Sequence, residues 1–208
     1  MKGVEDPAPT RHLRLAVVGD ELVTGVGDPR ALGWVGRVLS KTPLDHLELE
    51  AYTLAVPGEG TEALSQRWEA EVLPRFSPTT ENLLLIALND HDLVNASSAR
   101  ARLNLANILD GAAQQGIRCL VLGPLPGLET ERNRQAAQLN KAYHDVATRR
   151  SHPYVDAFTP LLDHQQWRED LAANDGRPGQ ASYGLIAWLV LHRGWYPWLR
   201  LPEPAASS

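Results

Sequence analysis

Four short stretches of this chain set reactive side chains beside turn-forming glycines. They are Gly19-Asp20-Glu21, Gly58-Glu59, Asn89-Asp90-His91 and Asn174-Asp175-Gly176-Arg177. Glu21 offers a carboxylate that can act as a base or a nucleophile. His91 is the histidine nearest in sequence to these groups and the candidate for a base working near neutral pH, against the plainer alternative of a loop-surface histidine. Arg177 cannot take a proton at neutral pH. Glu59, Asp90 and Asp92 gather on the same loops, where they could hold a cation weakly; a solvated acidic rim is the simpler expectation. His144, His152, His164 and His192 show no metal-ligand spacing with one another, so neither a metal nor a cofactor is expected. Gly58-Glu59-Gly60-Thr61 lacks the lysine and the glycine spacing of a phosphate loop.

Five segments must position these residues. Strands are predicted near 13–19, 48–55, 82–88, 117–122 and 153–157, each short, largely apolar and bounded by turn residues. Continuous runs such as Leu83-Leu84-Leu85-Ile86-Ala87-Leu88 suit a parallel sheet covered on both faces. Helices fill the gaps. Asp28 and Pro29 read as a cap and first-turn proline for a helix whose inward stripe is Leu32, Val35, Val38 and Leu39. Thr61 reads as the cap of a helix burying Leu64, Trp68 and Val72 and stopping near Pro74. Longer amphipathic helices are predicted over 97–115 and 130–150. A last helix begins near Gly179, carries Tyr183, Ile186, Ala187 and Val190 inward, and ends at Gly194. The alternation implies right-handed crossovers and a doubly wound, three-layer α/β/α domain over 11–201, with strand order 2-1-3-4-5. Residues 1–10 and 202–208 read as flexible tails. Sites in such sheets lie beyond the carboxyl ends of the strands, where Glu21, Gly58 and Asn89 fall.

The segment Leu15-Ala16-Val17-Val18-Gly19-Asp20-Glu21 resembles the first block of the SGNH (GDSL-type) hydrolases, in which the residue after Gly-Asp is the nucleophilic serine. Leu54-Ala55-Val56-Pro57-Gly58-Glu59 resembles the second block, and Ala87-Leu88-Asn89-Asp90 the third, with alanine in place of a glycine. Asn174-Asp175-Gly176-Arg177-Pro178 resembles the fifth, Asp-Gly-x-His-Pro. Gly123-Pro124-Leu125-Pro126 and the run from Pro178 to Ala187 also look like the family. The resemblance implies a five-stranded flavodoxin-like fold and ester or acyl hydrolysis. It also implies an oxyanion hole donated by the residue 21 amide, the Gly58 amide and the Asn89 side chain. Glu21 stands at the serine position and Arg177 at the histidine position. The aspartate position falls on Asn174 without a gap or on Asp175 with one deletion. Asp20, Asp90 and His91 stand as supporting residues. Two arrangements of Glu21 and Arg177 fit the sequence: opposed as an ion pair, or pointing separately to solvent.

Composition sets outer bounds. With 208 residues, 43% of them apolar, 22% charged and a net charge of −5, the chain argues against a nucleic-acid or anionic-membrane surface. Its longest apolar run, Leu185 to Leu191, is far short of a membrane span. With no signal-peptide pattern, a cytoplasmic protein is expected. The lone Cys119 excludes an intrachain disulfide and reads as a core residue. Trp195, Tyr196 and Trp198 read as packing below the sheet. Three readings follow for function. The first is a hydrolase scaffold with a degenerate site that binds a small-molecule or acyl ligand. The second is an enzyme repurposed around Glu21, which lacks an evident general acid. The third is a structural or interaction module. Oligomeric state is not legible.

Overall fold

The computed structural model describes residues 10–95 and 98–203; the tails expected at 1–10 and 202–208 fall largely outside them. Five strands, β1 (Arg11–Gly19), β2 (Leu47–Ala55), β3 (Glu81–Ala87), β4 (Arg118–Leu122) and β5 (Tyr154–Val155), form one parallel sheet in the order 2-1-3-4-5. The order and the parallel pairing are those expected from the sequence. Alternate side chains enter opposite layers, as a pleated strand requires. Leu13, Leu15, Val17, Leu83, Leu85, Leu120 and Leu122 face one core. Ala16, Val18, Leu84, Ile86, Cys119 and Val121 face the other. Leu83, Leu84, Leu85 and Ile86 are all fully buried, and each such side chain is worth about 1.5–3 kcal/mol over an exposed one. Burial pushes the Cys119 thiol up to about 12, which leaves it an inert core residue.

The first core is covered by α1 (Gly33–Ser40) and, near the carboxyl terminus, by the helices described below; the second by α2 (Thr61–Val72) together with α4 (Ser98–Gln114) and α5 (Thr130–Arg149), with the short α3 (Asp92–Asn95) between. The helices α6 (Phe158–Leu162), α7 (Gln165–Ala173), α8 (Gln180–Val190) and α9 (Tyr196–Leu199) complete the chain. Sequence patterning did not resolve α3, α6 and α7, which are short or carry few apolar residues. Trp195, Tyr196 and Trp198 are buried as expected, and Trp195 Nε1 donates to Thr42 Oγ1 at 2.9 Å.

Two helix boundaries differ from the sequence reading. Asp28 and Pro29 do not open a helix. They form a turn closed by Ala31 N–H on Asp28 O at 2.9 Å, and positive φ at Ala31 (53°) and Gly33 (54°) delays α1 to Gly33. Leu32 is consequently exposed, while Val35 and Val38 stay inward. Thr61 is the first residue of α2 rather than its cap, and its N–H is held by both oxygens of Asp92 at 2.9 and 3.1 Å. The last helix breaks at Gly194 as expected: after a wider turn that begins at Leu191, the backbone leaves helical geometry at Gly194 (φ 179°, ψ −25°) before α9 starts.

The register levels the strand ends. Gly19 lies opposite both Ala55 and Ala87, and Ala87 opposite Leu122. The loops that follow β1, β2, β3 and β4 therefore leave the sheet at one height, and Glu21, Gly58 and Asn89 emerge side by side. Gly19 has no room for a side chain: a Cβ there would sit 2.4 Å from Ala87 O.

Asp28 anchors the loop between β1 and α1. Its carboxylate accepts from Gly33 N at 2.9 Å and Arg30 N at 3.1 Å and pairs with Arg37. The Arg37 guanidinium, aided by those amides against the cost of burial, lowers its pKa to about 2. This folded value lies below the ordinary carboxylate value near about 4, so the stabilisation is complete above about pH 4 and is lost as pH falls towards 2. Asp28→Ala should cost about 1–3 kcal/mol at neutral pH, since it strips a charged acceptor from three donors. Urea denaturation of both proteins across pH 2.5–7 should show that difference shrinking on the acid side; a pH-independent gap would contradict the assignment.

Candidate active site

Asp20 sits one residue past β1 and caps a short 3₁₀ turn (Glu21–Val23), with Oδ1 accepting from Leu22 N at 3.0 Å. Oδ2 receives Asn89 Nδ2 at 3.0 Å and His91 Nε2 at 2.9 Å. The carboxylate is almost wholly buried, at 2% exposure. A carboxylate can only accept, so the facing His91 nitrogen carries the proton. That hydrogen bond raises the His91 pKa above its ordinary value. Partial burial opposes it, and the charges of Asp20, Glu21 and Asp90 add to it. The sequence's supporting pair, Asp20 and His91, is thus one hydrogen-bonded unit.

Glu21 follows directly and lines the cleft. Its Oε2 accepts the Gly58 N–H at 2.8 Å, on the exposed side of the site. Gly58 has φ 70°, in the left-handed region natural to glycine, and this turn aims its amide back towards β1. Two of the three donors that the family resemblance assigns to an oxyanion are therefore engaged by the chain's own carboxylates: Gly58 N–H by Glu21, and the Asn89 amide by Asp20. Asn89 Oδ1 also accepts Leu125 N at 3.4 Å.

The fifth block lies across the cleft. Asn174 turns back onto α7, its Nδ2 donating to Asp170 O at 2.7 Å. Asp175 and Gly176 take positive φ, 53° and 79°, and Asp175 and Arg177 line the cleft. Arg177 is exposed, and its side chain makes no hydrogen bond or ion pair among the described residues. The Glu21–Arg177 ion pair left open by the sequence does not form. Glu21 takes the Gly58 amide instead, and the left-handed pair at 175–176 turns the chain before Arg177.

The loop itself is held firmly. Asp170 Oδ2 accepts Gly179 N at 2.7 Å and Ser182 N at 3.1 Å, which fastens α7 to the start of α8. Trp167 Nε1 donates to Pro126 O at 3.0 Å and ties α7 to the loop after β4. Tyr183 Oη donates to Val26 O at 2.7 Å and ties α8 to the loop after β1. Between these elements lies a cleft of roughly 530 Å³ with Glu21, Asn89 and His91 at one side, Asp175 and Arg177 at another, and Leu125, Pro126 and Leu128 among its apolar wall.

The acidic rim expected from Glu59, Asp90 and Asp92 is not a solvated one. Glu59 is buried, chelated by Arg67 through two 2.5 Å bonds, and burial raises its pKa in spite of that arginine. Asp92 is buried, holds the first amide of α2 and meets Tyr143 Oη. Asp90 is paired with Arg132. Sequence reasoning missed Arg67, on the helix that follows Glu59, and Arg132 and Tyr143, which lie on α5 far along the chain from their carboxylates.

A doubly wound sheet of order 2-1-3-4-5 with an Asp-Glu, Gly and Asn-Asp-His arrangement at its carboxyl edge defines a hydrolase-type α/β/α domain. The chain belongs to the GDSL-like lipase/acylhydrolase family, whose family model matches residues 17–192. No curated protein matches it in sequence. Its fold is shared by the crystal structure of TesA, with a TM-score of 0.70 at 21% identity over 90% of this chain and 98% of that one. A lipase/acylhydrolase from Enterococcus faecalis gives 0.70 at 19% identity, covering 93% and 99%. A catalytic mutant of an acetylxylan esterase from Geobacillus stearothermophilus gives 0.73 at 14% identity, covering 93% and 97%. No helix among the described residues is long and apolar enough to cross a membrane.

Asp20 carries three hydrogen bonds at a buried position, so Asp20→Ala should strand Asn89 and His91 and remove a cap. Losing a cap costs about 0.5–2 kcal/mol and leaving buried donors unpaired about 1–3 kcal/mol; a loss of about 2–4 kcal/mol is expected. The urea midpoint should fall with an unchanged slope. A loss below about 0.5 kcal/mol, the ordinary scale of a surface change, would show that the three loops do not depend on this carboxylate.

Proposed function

We propose that this member of the family does not hydrolyse esters by serine chemistry and works instead by binding a small ligand in the cleft. The observation that carries the reading is the contact between Glu21 Oε2 and the Gly58 amide at 2.8 Å. Glu21 replaces the nucleophile and also occupies a donor that a substrate carbonyl would need. Arg177, at the histidine position, supplies no base. Losing the serine alone costs a serine hydrolase about 10⁶ in rate, leaving roughly 10³–10⁴ over water from binding and the oxyanion hole. Here that remainder shrinks further, because the Gly58 amide is taken by Glu21 and one of the two Asn89 amide hydrogens by Asp20.

The second reading keeps an enzyme, and one observation favours it: the Asp20–His91 unit stands beside Glu21 at the cleft. His91, held by a carboxylate, has the arrangement of an oriented acid–base group. In this reading Glu21 acts as the carboxylate base or nucleophile and His91 as the acid that the sequence lacked.

Purified protein should hydrolyse p-nitrophenyl acetate and butyrate no faster than buffer with an equal amount of an unrelated protein. Turnover that disappears in both Glu21→Gln and His91→Gln would establish the second reading. Turnover unmoved by either substitution would place the activity outside this cleft.

A further inference from the structure

Asp20, Glu21 and His91 converge although β1 and β3 separate them by some seventy residues of chain, and each offers one ligand atom within 4.8 Å of the others. We propose that these three side chains form a binding site for a divalent transition-metal ion, with the remaining coordination positions open to the cleft. The inference goes beyond the ligand-binding reading and does not depend on it.

The geometry suits an ion of the zinc type. His91 Nε2 and Asp20 Oδ2 lie 2.9 Å apart. Two ligands of a tetrahedral ion with bonds of about 2.0–2.1 Å stand about 3.3–3.4 Å apart, so the two atoms need to separate by about 0.5 Å for the ion to replace the shared proton. From the imidazolium form the Nε2 proton leaves as the ion enters and Nδ1 keeps its own; from the neutral form the single proton moves from Nε2 to Nδ1 through solvent. Glu21 uses Oε2 on Gly58, and its Oε1 has no partner among the described residues.

The groups around the three ligands belong to other parts of the chain and already point at them. Leu22 N and Asn89 Nδ2 donate to Asp20, and Gly58 N donates to Glu21. Metal-binding carboxylates are held by such outer donors, which fix their orientation before the ion arrives. No arginine or lysine pairs with Asp20 or Glu21 among the described residues, so two carboxylates face one imidazole. Glu59, Asp90 and Asp92 differ on this point, each being committed to an arginine, a helix amide or a tyrosine. Three protein ligands with an open side facing a cleft of roughly 530 Å³ is the pattern of an accessible metal centre, whereas a purely structural ion is fully enclosed. An imidazole among the ligands favours zinc and the later first-row transition metals over manganese and calcium.

The test is titration of the full chain, freed of metal with chelator, with Zn²⁺, Co²⁺, Mn²⁺ and Ca²⁺ by calorimetry at pH 8, where the imidazole ligand is available. One saturable site is expected for Zn²⁺ and Co²⁺, with Ca²⁺ at least tenfold weaker. Glu21→Gln, which keeps the length and an oxygen for Gly58, should weaken Zn²⁺ at least tenfold, as should His91→Gln. Zn²⁺ should raise the melting temperature of the wild type and not of either variant. If a variant does not fold, the wild-type protein still decides the matter: Co²⁺ should displace the His91 ring resonances in the proton spectrum. Absence of saturable binding, or binding unchanged in both variants, overturns the site. Saturable binding of butylammonium that depends on Glu21, without metal binding, also overturns it and makes the cleft an amine pocket. Every readout is taken without substrate, so failure here and failure of the ligand-binding reading are told apart.

Discussion

The buried carboxylate of Asp20 is the constraint on which the rest of the site hangs. It is one residue past β1, at the point where the register has brought the ends of β1, β2, β3 and β4 to one height. A carboxylate at 2% exposure must be satisfied locally. It is satisfied by its own turn through Leu22 and by the loop after β3 through Asn89 and His91. The two loops are thereby locked together, and Glu21, next in chain, is delivered to the loop after β2. The residue 21 side chain reaches outward to Gly58, and the Asp20 frame does not involve it.

That frame explains why Glu21 meets Gly58 rather than Arg177. On sequence grounds Glu21 is either opposed to Arg177 or turned to solvent, and the Gly58 amide is not foreseen as its partner. The amide lies on a loop whose start is fixed by Val56 N–H on Gly19 O at 2.9 Å. The guanidinium sits on an exposed turn and would have to surrender side-chain freedom to pair. A fixed donor already in place wins over a flexible charge that must be ordered, because the ordering entropy has been met by the sheet.

The fold was largely legible because its signals are periodic and local. Leu83 to Leu88 announced a strand covered on both faces, and the strand ends placed Glu21, Gly58 and Asn89 together. Helix boundaries were less legible, since tertiary partners set them. Asp28 reads as a helix cap in isolation, but Ala31 and Gly33 in the left-handed region make it a turn anchor for Arg37. The first amide of α2 is held by Asp92, thirty-one residues away, and no local pattern announces that. The site divides the same way. Membership of the Asp20 and Asn89 positions could be read from motifs, whereas the side-chain directions of Glu21, His91 and Arg177 depend on which donor stands nearest in space.

The same geometry accounts for the change in character of the cleft. Backbone and amide donors at the ends of parallel strands suit a ligand that brings an acceptor, such as a carbonyl oxygen developing charge. In this chain, two carboxylates engage the Gly58 amide and one hydrogen of the Asn89 amide. What the centre presents outward is the free Glu21 oxygen and the edge of an imidazole held by Asp20. Acceptors attract donors and cations, so the polarity at the bottom of the cleft is the reverse of that required to polarise a carbonyl. Asp20 is buried there as the frame, and Glu21 adds a second carboxylate with no arginine or lysine paired to it among the described residues. The electrostatics of the cleft therefore follow from the neighbouring carboxylates 20 and 21 together rather than from residue 21 alone.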